Sequence, residues 1–468
     1  MENKGFIFST KGSSALSRSD QDELILKNTS NLSNIKVRFR DMTESEFLEW
    51  FVGFVDGEGC FLIDISKGNT ISFILTIGVH IDDTGVLEFI KNRLNCGSIY
   101  ISKKVVHLNV KRINDIKNIL IPMFDKFPLN GTKYLEYLGF KEAVAIKFNK
   151  SLSMSEKLKL ITDLKGQMNS KRVDFVMPST HTIRITPYWF LGFLEGEGCF
   201  SLVDTKDISI SFSLGLTFVQ APLVHAIKEF LDSYGIEDVK LKASSQYLEI
   251  ISQRTSIYDK GKCTTKGKLV VQFHINHLSY IVDTLIPFLS DLSFASKKYK
   301  DFLDWVFIAS LIYKGKHLTK LGKELIIKVS RRMNNYRLSS FKHIESSDTF
   351  VSPGGEEIRG ISSNLVNEVI NMKDIYVINQ DGLRINSLTG GSLVKRQLFY
   401  ILAEEVVPAS RACLSSQVSE KFRIFKDSQS CADYFKIAPQ TINAKLNKGV
   451  TVFDSNKVEF KLSRRPLR

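Results

Sequence analysis

The sequence has few cysteines, and they do not fall in the patterns typical of metal sites or disulfide scaffolds. There are six among 468 residues, with no Cys-x-x-Cys pair. This excludes a small disulfide-stapled domain and the common zinc-binding spacings. Cys60 and Cys199 occupy the same place in two similar stretches, beside glycines, and we interpret them as small buried residues rather than as a disulfide. A reducing compartment fits this composition.

Long apolar runs are also missing. No run approaches the ~18 residues of a membrane span, and the stretch from Val306 to Tyr313, among the most apolar, is interrupted by polar residues. The N-terminus has no apolar signal core, and early acids such as Asp20 and Glu23 are not typical of a transit peptide. The sequence therefore predicts a soluble chain with no membrane partner. If it works in an organelle, we expect it to be made there.

Acidic residues are outnumbered by basic ones. The 64 Lys and Arg residues against 50 Asp and Glu give a net charge of +14. Such a balance favours a polyanionic partner, nucleic acid first and an acidic membrane surface second. Hydrophobic residues make up 43% of the chain, which is enough for real cores. The length corresponds to roughly three domains.

One stretch of the sequence occurs twice. Residues 51–61, FVGFVDGEGCF, match residues 190–200, FLGFLEGEGCF, at an offset of 139, which indicates two tandem halves of one fold. In each copy apolar residues recur at helical spacing, with glycines four apart that allow two helix backbones to approach closely. We therefore predict that the copies pair as helices about a pseudo-two-fold axis. Glu58 and Glu197 would meet near that axis, where each helix ends before a glycine.

The two glutamates are the first candidates for chemistry. A carboxylate at a helix C-terminus is electrostatically disfavoured, so its occurrence in both copies indicates a function. Two carboxylates that meet can share or flank divalent cations, and Glu58 and Glu197 are therefore candidate metal ligands. Asp56 and Glu195, two residues earlier, would point about 200° away on a helix and are interpreted as supporting the fold.

The stretches GFVDGEGCF and GFLEGEGCF resemble the motif of the LAGLIDADG homing endonucleases in its two-copy, single-chain form. The resemblance covers roughly residues 45–338 and includes the run KGKHLTKLGKELIIKVSRRMNNYR, similar to the end of family members from fungal organelle introns. It implies that Glu58 and Glu197 are catalytic and that a basic residue near each site polarises the scissile phosphate or its water. Lys133 and Lys298, which recur at an offset of 165, are assigned this role. Lys103 and Lys240 are the alternatives.

The resemblance implies a site-specific, double-strand DNA endonuclease that hydrolyses phosphodiester bonds for intron homing. Mg²⁺ fits two glutamates, because it is normally held by one or two carboxylates plus substrate phosphate. The partner would be a long double-stranded DNA target, the protein a monomer, and the location the mitochondrion or, as an alternative, the chloroplast. A second possibility is an RNA maturase that assists splicing of its host group I intron and binds that RNA. A third is a non-catalytic DNA-binding regulator.

The pattern along the chain predicts an α+β fold with two pseudo-symmetric αββαββα halves that form a β-saddle over the major groove. Strand-like alternation covers Cys60–Ile65 and Thr70–Val79, and Ile210–Val219 is aligned with the latter. Gln220 would then lie near the second site and contact DNA, with His80 or Ile81 in its place in the first half. The two sites are therefore expected to be unequal.

The predicted domains are a poorly ordered leader (1–42), the first half (43–150), a structured linker (151–187), the second half (188–338), an unassigned connector (339–423) and a C-terminal module (424–468). A polar insertion within 240–268 is interpreted as a DNA-groove probe or a solvated loop. The C-terminal module has helix-turn-helix spacing and is similar to nuclease-associated modular DNA-binding repeats. A plain helical hairpin is the alternative. The candidate DNA contacts of the C-terminal module are Gln440, Thr441, Asn443 and Lys445.

Overall fold

The computed structural model describes residues 38–204, 207–234, 256–263, 269–340, 349–351, 357–359, 362–378, 384–391, 393, 399–406 and 422–466. The predicted leader as far as residue 37 and residues 240–255 and 264–268 of the insertion, with Lys240, lie outside the described residues. Within the described ranges no helix combines the length and the apolar character needed to cross a membrane.

The first half is an antiparallel sheet of four strands, in the order β2-β3-β5-β4, backed by helices. The alternation of its strands is visible in burial: Phe61 and Ile63 point into the core while Leu62 is partly exposed. A capping box starts the motif helix, in which the Glu46 carboxylate accepts from Thr43 N at 2.7 Å. The elements are β1 (Arg38–Phe39), α1 (Glu44–Glu58), β2 (Gly59–Ile65), β3 (Ile71–His80), α2 (Thr84–Leu94), β4 (Ser98–Ser102), β5 (Val105–Val110), α3 (Ile113–Asp115), α4 (Ile121–Lys126), α5 (Lys133–Phe148) and α6 (Met154–Gly166).

The second half repeats this order with a sheet of four strands, β6-β7-β9-β8. The predicted α+β fold with two matching halves is thereby confirmed. Its elements are α7 (Pro187–Glu197), β6 (Gly198–Asp204), β7 (Ile208–Thr217), α8 (Ala221–Ser233), β8 (Ser256–Cys263), β9 (Leu269–Ile275), α9 (Leu278–Tyr280), α10 (Ile286–Ser290), β10 (Ser293–Phe294), α11 (Lys298–Tyr313) and α12 (Lys320–Ser330).

The strand pairing corrects one predicted alignment. Gly59 pairs with Ile77 in the first sheet, and Gly198 pairs with Leu214 in the second. Ile77 and Leu214 are therefore equivalent, at an offset of 137, so Ile71–His80 corresponds to Ile208–Thr217. The predicted match of Thr70–Val79 with Ile210–Val219 was wrong because the β6-β7 turn is two residues shorter than the β2-β3 turn.

The repeat extends further at both ends than predicted. Asn169, in the predicted linker, donates from Nδ2 to Phe61 O at 2.9 Å, and Asn334 makes the same bond to Phe200 O at 2.8 Å. Helices α6 and α12 precede these asparagines, so the first half continues to about residue 172. At the other end β1 pairs in parallel with β10 and Met42 is buried, so residues 38–42 belong to the folded protein rather than to a leader.

A third segment, predicted only as connector, packs on the second half. Helix α13 (Ser363–Asn371) contributes the buried Val366 and Val369 to the main core. The hairpin of β13 (Tyr376–Ile378) and β14 (Arg384–Asn386) follows it, and β11 (Thr349–Val351) pairs with β12 (Glu357–Arg359). Lys316 is 2% exposed, and its Nζ donates to Val369 O at 2.9 Å, to Ile370 O and to Met372 O. The buried ammonium thus satisfies carbonyls at the C-terminal end of α13.

We expect Lys316→Met to loosen α13 without unfolding the two halves. The substitution keeps the aliphatic stem but removes charge-assisted hydrogen bonds, each of which contributes about 1.5–3 kcal/mol. Amide hydrogen exchange in residues 363–372 should accelerate strongly, while exchange in α1 and α7 stays slow. Lys328→Met is the control, because Lys328 pairs with Glu324 on the surface. Unchanged protection of α13 in Lys316→Met would contradict the anchoring role.

The C-terminal module is larger than the predicted helix-turn-helix. It comprises β15 (Phe399–Glu405), β16 (Phe422–Phe425), α14 (Ser428–Phe435), α15 (Pro439–Lys448), β17 (Val452–Phe453) and β18 (Glu459–Pro466). The two predicted helices are present, with Lys436 in a left-handed turn at φ 56° between them. They pack on a sheet in the order β16-β15-β18-β17 and share a separate core with it. The module therefore begins at residue 399, inside the predicted connector.

Candidate active site

The two motif helices α1 and α7 meet at the seam between the halves with almost no space between their backbones. A Cβ atom built on Gly53 would lie 2.0 Å from Trp189 O, and one built on Gly192 would lie 1.9 Å from Trp50 O. Near the helix ends, a Cβ on Gly57 would lie 3.4 Å from Gly196 Cα. The predicted pairing of the two copies is confirmed, and these glycines are needed for the close approach.

Glu58 and Glu197 lie on either side of this crossing. A Cβ built on Gly196 would be 3.2 Å from Glu58 Cγ, and one built on Gly57 would be 3.6 Å from Glu197 Cγ. Both glutamates end their helices and are partly exposed. The following glycines have extended rather than left-handed backbones, with φ −77° at Gly59. Glycine is required there because a Cβ would lie 2.6 Å from Val55 Cγ1. Each glutamate side chain packs against a glycine of the facing motif helix.

Burial and mutual repulsion shift the titration of these carboxyl groups. Burial and, after it, the neighbouring Glu197 carboxylate raise the pKa of Glu58 to about 7, against the opposing effect of Lys133 and Lys298. Burial also raises the pKa of Glu197 against the same two lysines. Two carboxylates that are close together and partly desolvated favour binding of a proton or a cation.

Lys133 and Lys298 are the first residues of α5 and α11, and both ammonium groups reach the ends of the motif helices. Lys133 Nζ donates to Val55 O at 3.2 Å and to Gly57 O. Lys298 Nζ donates to Gly198 O at 2.9 Å. Positive charge at a helix C-terminus is favourable, so the lysines offset the cost of placing glutamates there. Burial lowers the pKa of Lys133, and the nearby Asp56, Glu197 and Glu58 oppose that shift.

The loops that precede these lysines are held by buried carboxylates. Asp56 accepts from Asn130 N at 2.7 Å and from Gly131 N at 3.1 Å. Glu195 accepts from Ser296 N at 2.7 Å and from Ala295 N at 3.1 Å. The expectation that these acids support the fold is confirmed.

Each of these carboxylates is also bound by a tryptophan of the opposite half. Trp189 Nε1 donates to Asp56 Oδ2 at 3.1 Å, and Trp50 Nε1 donates to Glu195 Oε2 at 2.6 Å. Two equivalent hydrogen bonds therefore link the halves across the seam. No role was predicted for these two tryptophans from the sequence, although their equivalent places before the doubled motif could have indicated one.

The structure corrects the prediction for Gln220. Its Oε1 accepts from Thr132 N at 2.9 Å, so it lies beside Lys133 rather than beside Lys298. Its counterpart is neither His80 nor Ile81 but Asp83, which accepts from Lys297 N at 3.0 Å. Each lysine-bearing loop is thus also bound by a side chain of the other half. The two side chains differ in charge, because Gln220 is an amide whereas Asp83 is a carboxylate whose pKa is raised by burial.

The remaining candidates lie apart from this cluster or serve other contacts. Lys103 is exposed in the turn between β4 and β5, with φ 56°. In the C-terminal module Asn443 Oδ1 accepts from Ser428 Oγ at 2.8 Å and from Arg464 Nη2 at 2.6 Å, and Lys445 Nζ donates to Thr451 O at 2.9 Å. Gln440 and Thr441 are exposed on α15.

The donor set at the seam fits Mg²⁺ better than a metal that prefers nitrogen or sulfur. Within the described residues no group of three or more His, Cys, Asp or Glu side chains could hold a metal ion. Mg²⁺ needs only one or two carboxylates when water and a substrate phosphate complete its shell. Glu58 and Glu197 provide two carboxylates, whose ligand atoms are all oxygens.

The protonation of the buried acids predicts how stability depends on pH. Burial raises the pKa of Asp56 to about 6 and that of Glu195 to about 7, in the same direction as for Glu58. A carboxyl with a raised folded pKa binds its proton more tightly in the folded state, so it favours folding below that value and ceases to do so as pH rises through it. In EDTA the melting temperature should fall by a few degrees between pH 5 and pH 8. Glu58→Gln should flatten this slope, and a melting temperature that rises over the interval would contradict the assignment.

The fold and the doubled carboxylate site agree with a known family. A family model described as LAGLIDADG endonuclease matches residues 51–144 and 190–309. The two halves of the chain therefore belong to the LAGLIDADG endonuclease family, which confirms the family predicted from the doubled motif. The C-terminal module lies beyond the matched residues.

Individual relatives are consistent with this family. The chain is 27% identical to the uncharacterized mitochondrial protein RF1 of Saccharomyces cerevisiae, over 79% of this chain and 74% of that protein. It is 31% identical to the probable intron-encoded endonuclease Cox1-I1b of Schizosaccharomyces pombe, over 42% of this chain and 53% of that protein. The chain thus spans about half the length of that endonuclease.

Solved structures show the same fold. The LAGLIDADG homing endonuclease I-GzeII in complex with its DNA target is 28% identical, with a TM-score of 0.50 over 62% of this chain and 99% of that one. The homing endonuclease I-LtrWI bound to target DNA is 20% identical, with a TM-score of 0.53 over 63% of this chain and 100% of that one.

Proposed function

We propose that this chain is a site-specific double-strand DNA endonuclease of the intron-homing type, with Mg²⁺ held by Glu58 and Glu197. The observation that carries the proposal is the placement of these two glutamates at the crossing of the motif helices, each against a glycine of the facing helix, with Lys133 and Lys298 nearby. One acid from each pseudo-symmetric half suits hydrolysis of two antiparallel strands. Because both acids come from one chain, the active form is a monomer.

The residues at the seam have separable roles in this proposal. A bound divalent cation would supply Lewis-acid stabilisation of the phosphate and an activated water. Glu58 and Glu197 would hold the ion at the seam. Lys133 Nζ and Lys298 Nζ, fixed by helix-end carbonyls, would donate to a phosphate oxygen or to the attacking water.

The proposed location is the mitochondrion. The similarity to a mitochondrial protein of Saccharomyces cerevisiae and to intron-encoded endonucleases of fungi supports it. An intron-encoded enzyme would have its target in the intronless allele of the host gene.

The direct test is cleavage of intronless host-gene DNA. Purified protein with Mg²⁺ should cut a duplex that spans the intron insertion site and leave the intron-containing allele intact. EDTA should abolish the reaction. Binding without cleavage at any divalent cation tested would contradict the proposal.

We also propose that the C-terminal module binds DNA through α15. Gln440 and Thr441 are exposed at its N-terminal end, whereas Asn443 and Lys445 make contacts within the module. The double substitution Gln440→Ala with Thr441→Ala in the full chain should weaken target binding about tenfold, the size expected when base contacts are lost. Gel-shift titration measures this, and circular dichroism checks the fold. Unchanged affinity and specificity would leave α15 with a structural role only.

A further inference from the structure

The face of the first sheet that points away from the helices contains an apolar pair. Leu62 on β2 and Ile74 on β3 are cross-strand partners and are both partly exposed. Their neighbours Phe61, Ile63 and Phe73 point to the opposite face and are buried in the core. Because successive strand residues alternate between faces, Leu62 and Ile74 form an apolar patch on the outer face.

The same place in the second half has the opposite character. The equivalent cross-strand pair on β6 and β7 is Ser201 with Ser211. The row nearer the seam is similar in the two halves, with Cys60 opposite Thr76 and Cys199 opposite Ser213. In the row further from the seam the polarity is reversed, with Asp64 opposite Ser72 in the first half and the partly exposed Val203 opposite Ser209 in the second.

The apolar patch continues the active-site surface. Glu58 directly precedes β2, and Cys60 is the first residue of β2 on its outer face. Leu62 lies two residues further along the same strand, and Cys60 follows Glu58 by two. Two strand residues correspond to about 7 Å, or about two base-pair steps of B-DNA. A duplex held at the seam would thus pass over Leu62 and Ile74 on one side and over Ser201 on the other.

We propose that Leu62 and Ile74 recognise the C5-methyl groups of thymines in one half of the DNA target, an inference that rests on the proposed function. Leucine and isoleucine side chains have no hydrogen-bond donor or acceptor, so they cannot read the polar edges of bases. The thymine methyl is the apolar group that the major groove presents. Ser211 is buried and Ser201 is polar, so the serine pair offers no apolar surface, and at this row the thymine preference is confined to the half-site bound by the first half.

The same patch favours DNA over RNA. Uracil lacks the methyl group, and the deep, narrow major groove of A-form RNA does not admit side chains. Methyl recognition by this surface would therefore act on DNA and not on RNA.

The test replaces thymine by deoxyuridine, which removes the methyl and keeps the base pair. A target is first selected with the full chain from a pool of randomised duplexes, in Ca²⁺ to hold it uncleaved. Thymines in each half of the selected duplex are then replaced separately. At the positions that this row of side chains contacts, we expect binding to weaken roughly fourfold per contacted methyl, the effect of one buried methylene, and only in one half.

A matched variant assigns that half to the patch. Leu62→Ser with Ile74→Ser gives the first half the chemistry of the second, and the difference between thymine and deoxyuridine should vanish. Melting curves check the fold, and Leu62→Thr with Ile74→Thr, which keeps strand-forming side chains, replaces the serine variant if that one unfolds.

Equal binding of thymine and deoxyuridine targets in both halves, or a selected target without thymine at these positions, would overturn the inference while leaving the endonuclease proposal intact. A methyl effect that persists in the double variant would also overturn it. Failure to bind or cut any duplex would instead refute the proposed function itself.

Discussion

Glu58→Gln or Glu197→Gln is expected to abolish double-strand cleavage while target binding is retained. Glutamine keeps the shape of the side chain but can neither hold a divalent cation as a carboxylate does nor accept the proton of the attacking water. Removing one preorganised charge at a transition state typically costs at least about 10²-fold in rate. Single-turnover cleavage in Mg²⁺ and gel-shift titration in Ca²⁺ measure the two effects separately.

The same substitutions should not destabilise the protein, which distinguishes a catalytic from a structural role. Like charges close together at the seam repel, and burial disfavours the ionised form of both. The melting temperature of either variant should therefore stay the same or rise. Glu49→Gln, nine residues earlier on the same helix, is the matched control and should cleave normally. Full activity in the double variant Glu58→Gln, Glu197→Gln would show that the chemistry lies elsewhere.

Gly53→Ala and Gly192→Ala are expected to have the largest effects on stability. The new methyl groups would lie 2.0 and 1.9 Å from carbonyl oxygens of the facing helix, so the helices must separate. Overpacking of a tight core generally costs 1–3 kcal/mol, and a clash with backbone on both sides of a buried seam should reach about 3 kcal/mol or more. Urea unfolding, followed by circular dichroism, gives the change in the free energy of unfolding.

Gly139→Ala is the control for this prediction. Gly139 also lies within a helix, α5, but a Cβ there would be 3.6 Å from Met168 Cγ, an ordinary contact. Because alanine is a better helix former than glycine, this substitution should be neutral or stabilise the protein by up to about 1 kcal/mol. If Gly53→Ala were tolerated as well as Gly139→Ala, the two motif helices could not pack as described.

The motif helices and their acids could be predicted because local spacing and duplication carry the information. A helix that repeats glycines four apart and ends in Glu58 or Glu197 has few ways to pack against its own copy. Lys133 and Lys298 were likewise found because they recur at corresponding positions. The strands could also be predicted, because the alternation of apolar and polar residues is a local pattern.

Other features depend on contacts between distant residues, which spacing does not show. Asp83 was missed because the shorter β6-β7 turn shifts the register and conceals its equivalence to Gln220. The placement of α13 depends on Lys316, whose charge would be expected on a surface from sequence alone. The C-terminal sheet was missed because β15 is separated in sequence from the helices that it supports.

The reciprocal bonds of Trp50 and Trp189 restrict how the two halves can change during evolution. Trp50 donates to a carboxylate 145 residues away and Trp189 to one 133 residues away, so a change of either tryptophan removes one hydrogen bond from a buried acid of the other repeat. Recombination between diverged members of the family would exchange one half for another. The new half would fit only where both partners of each tryptophan–carboxylate pair are inherited together. The same reciprocity would suit two identical copies of a single repeat, as in a symmetric ancestor that preceded gene duplication.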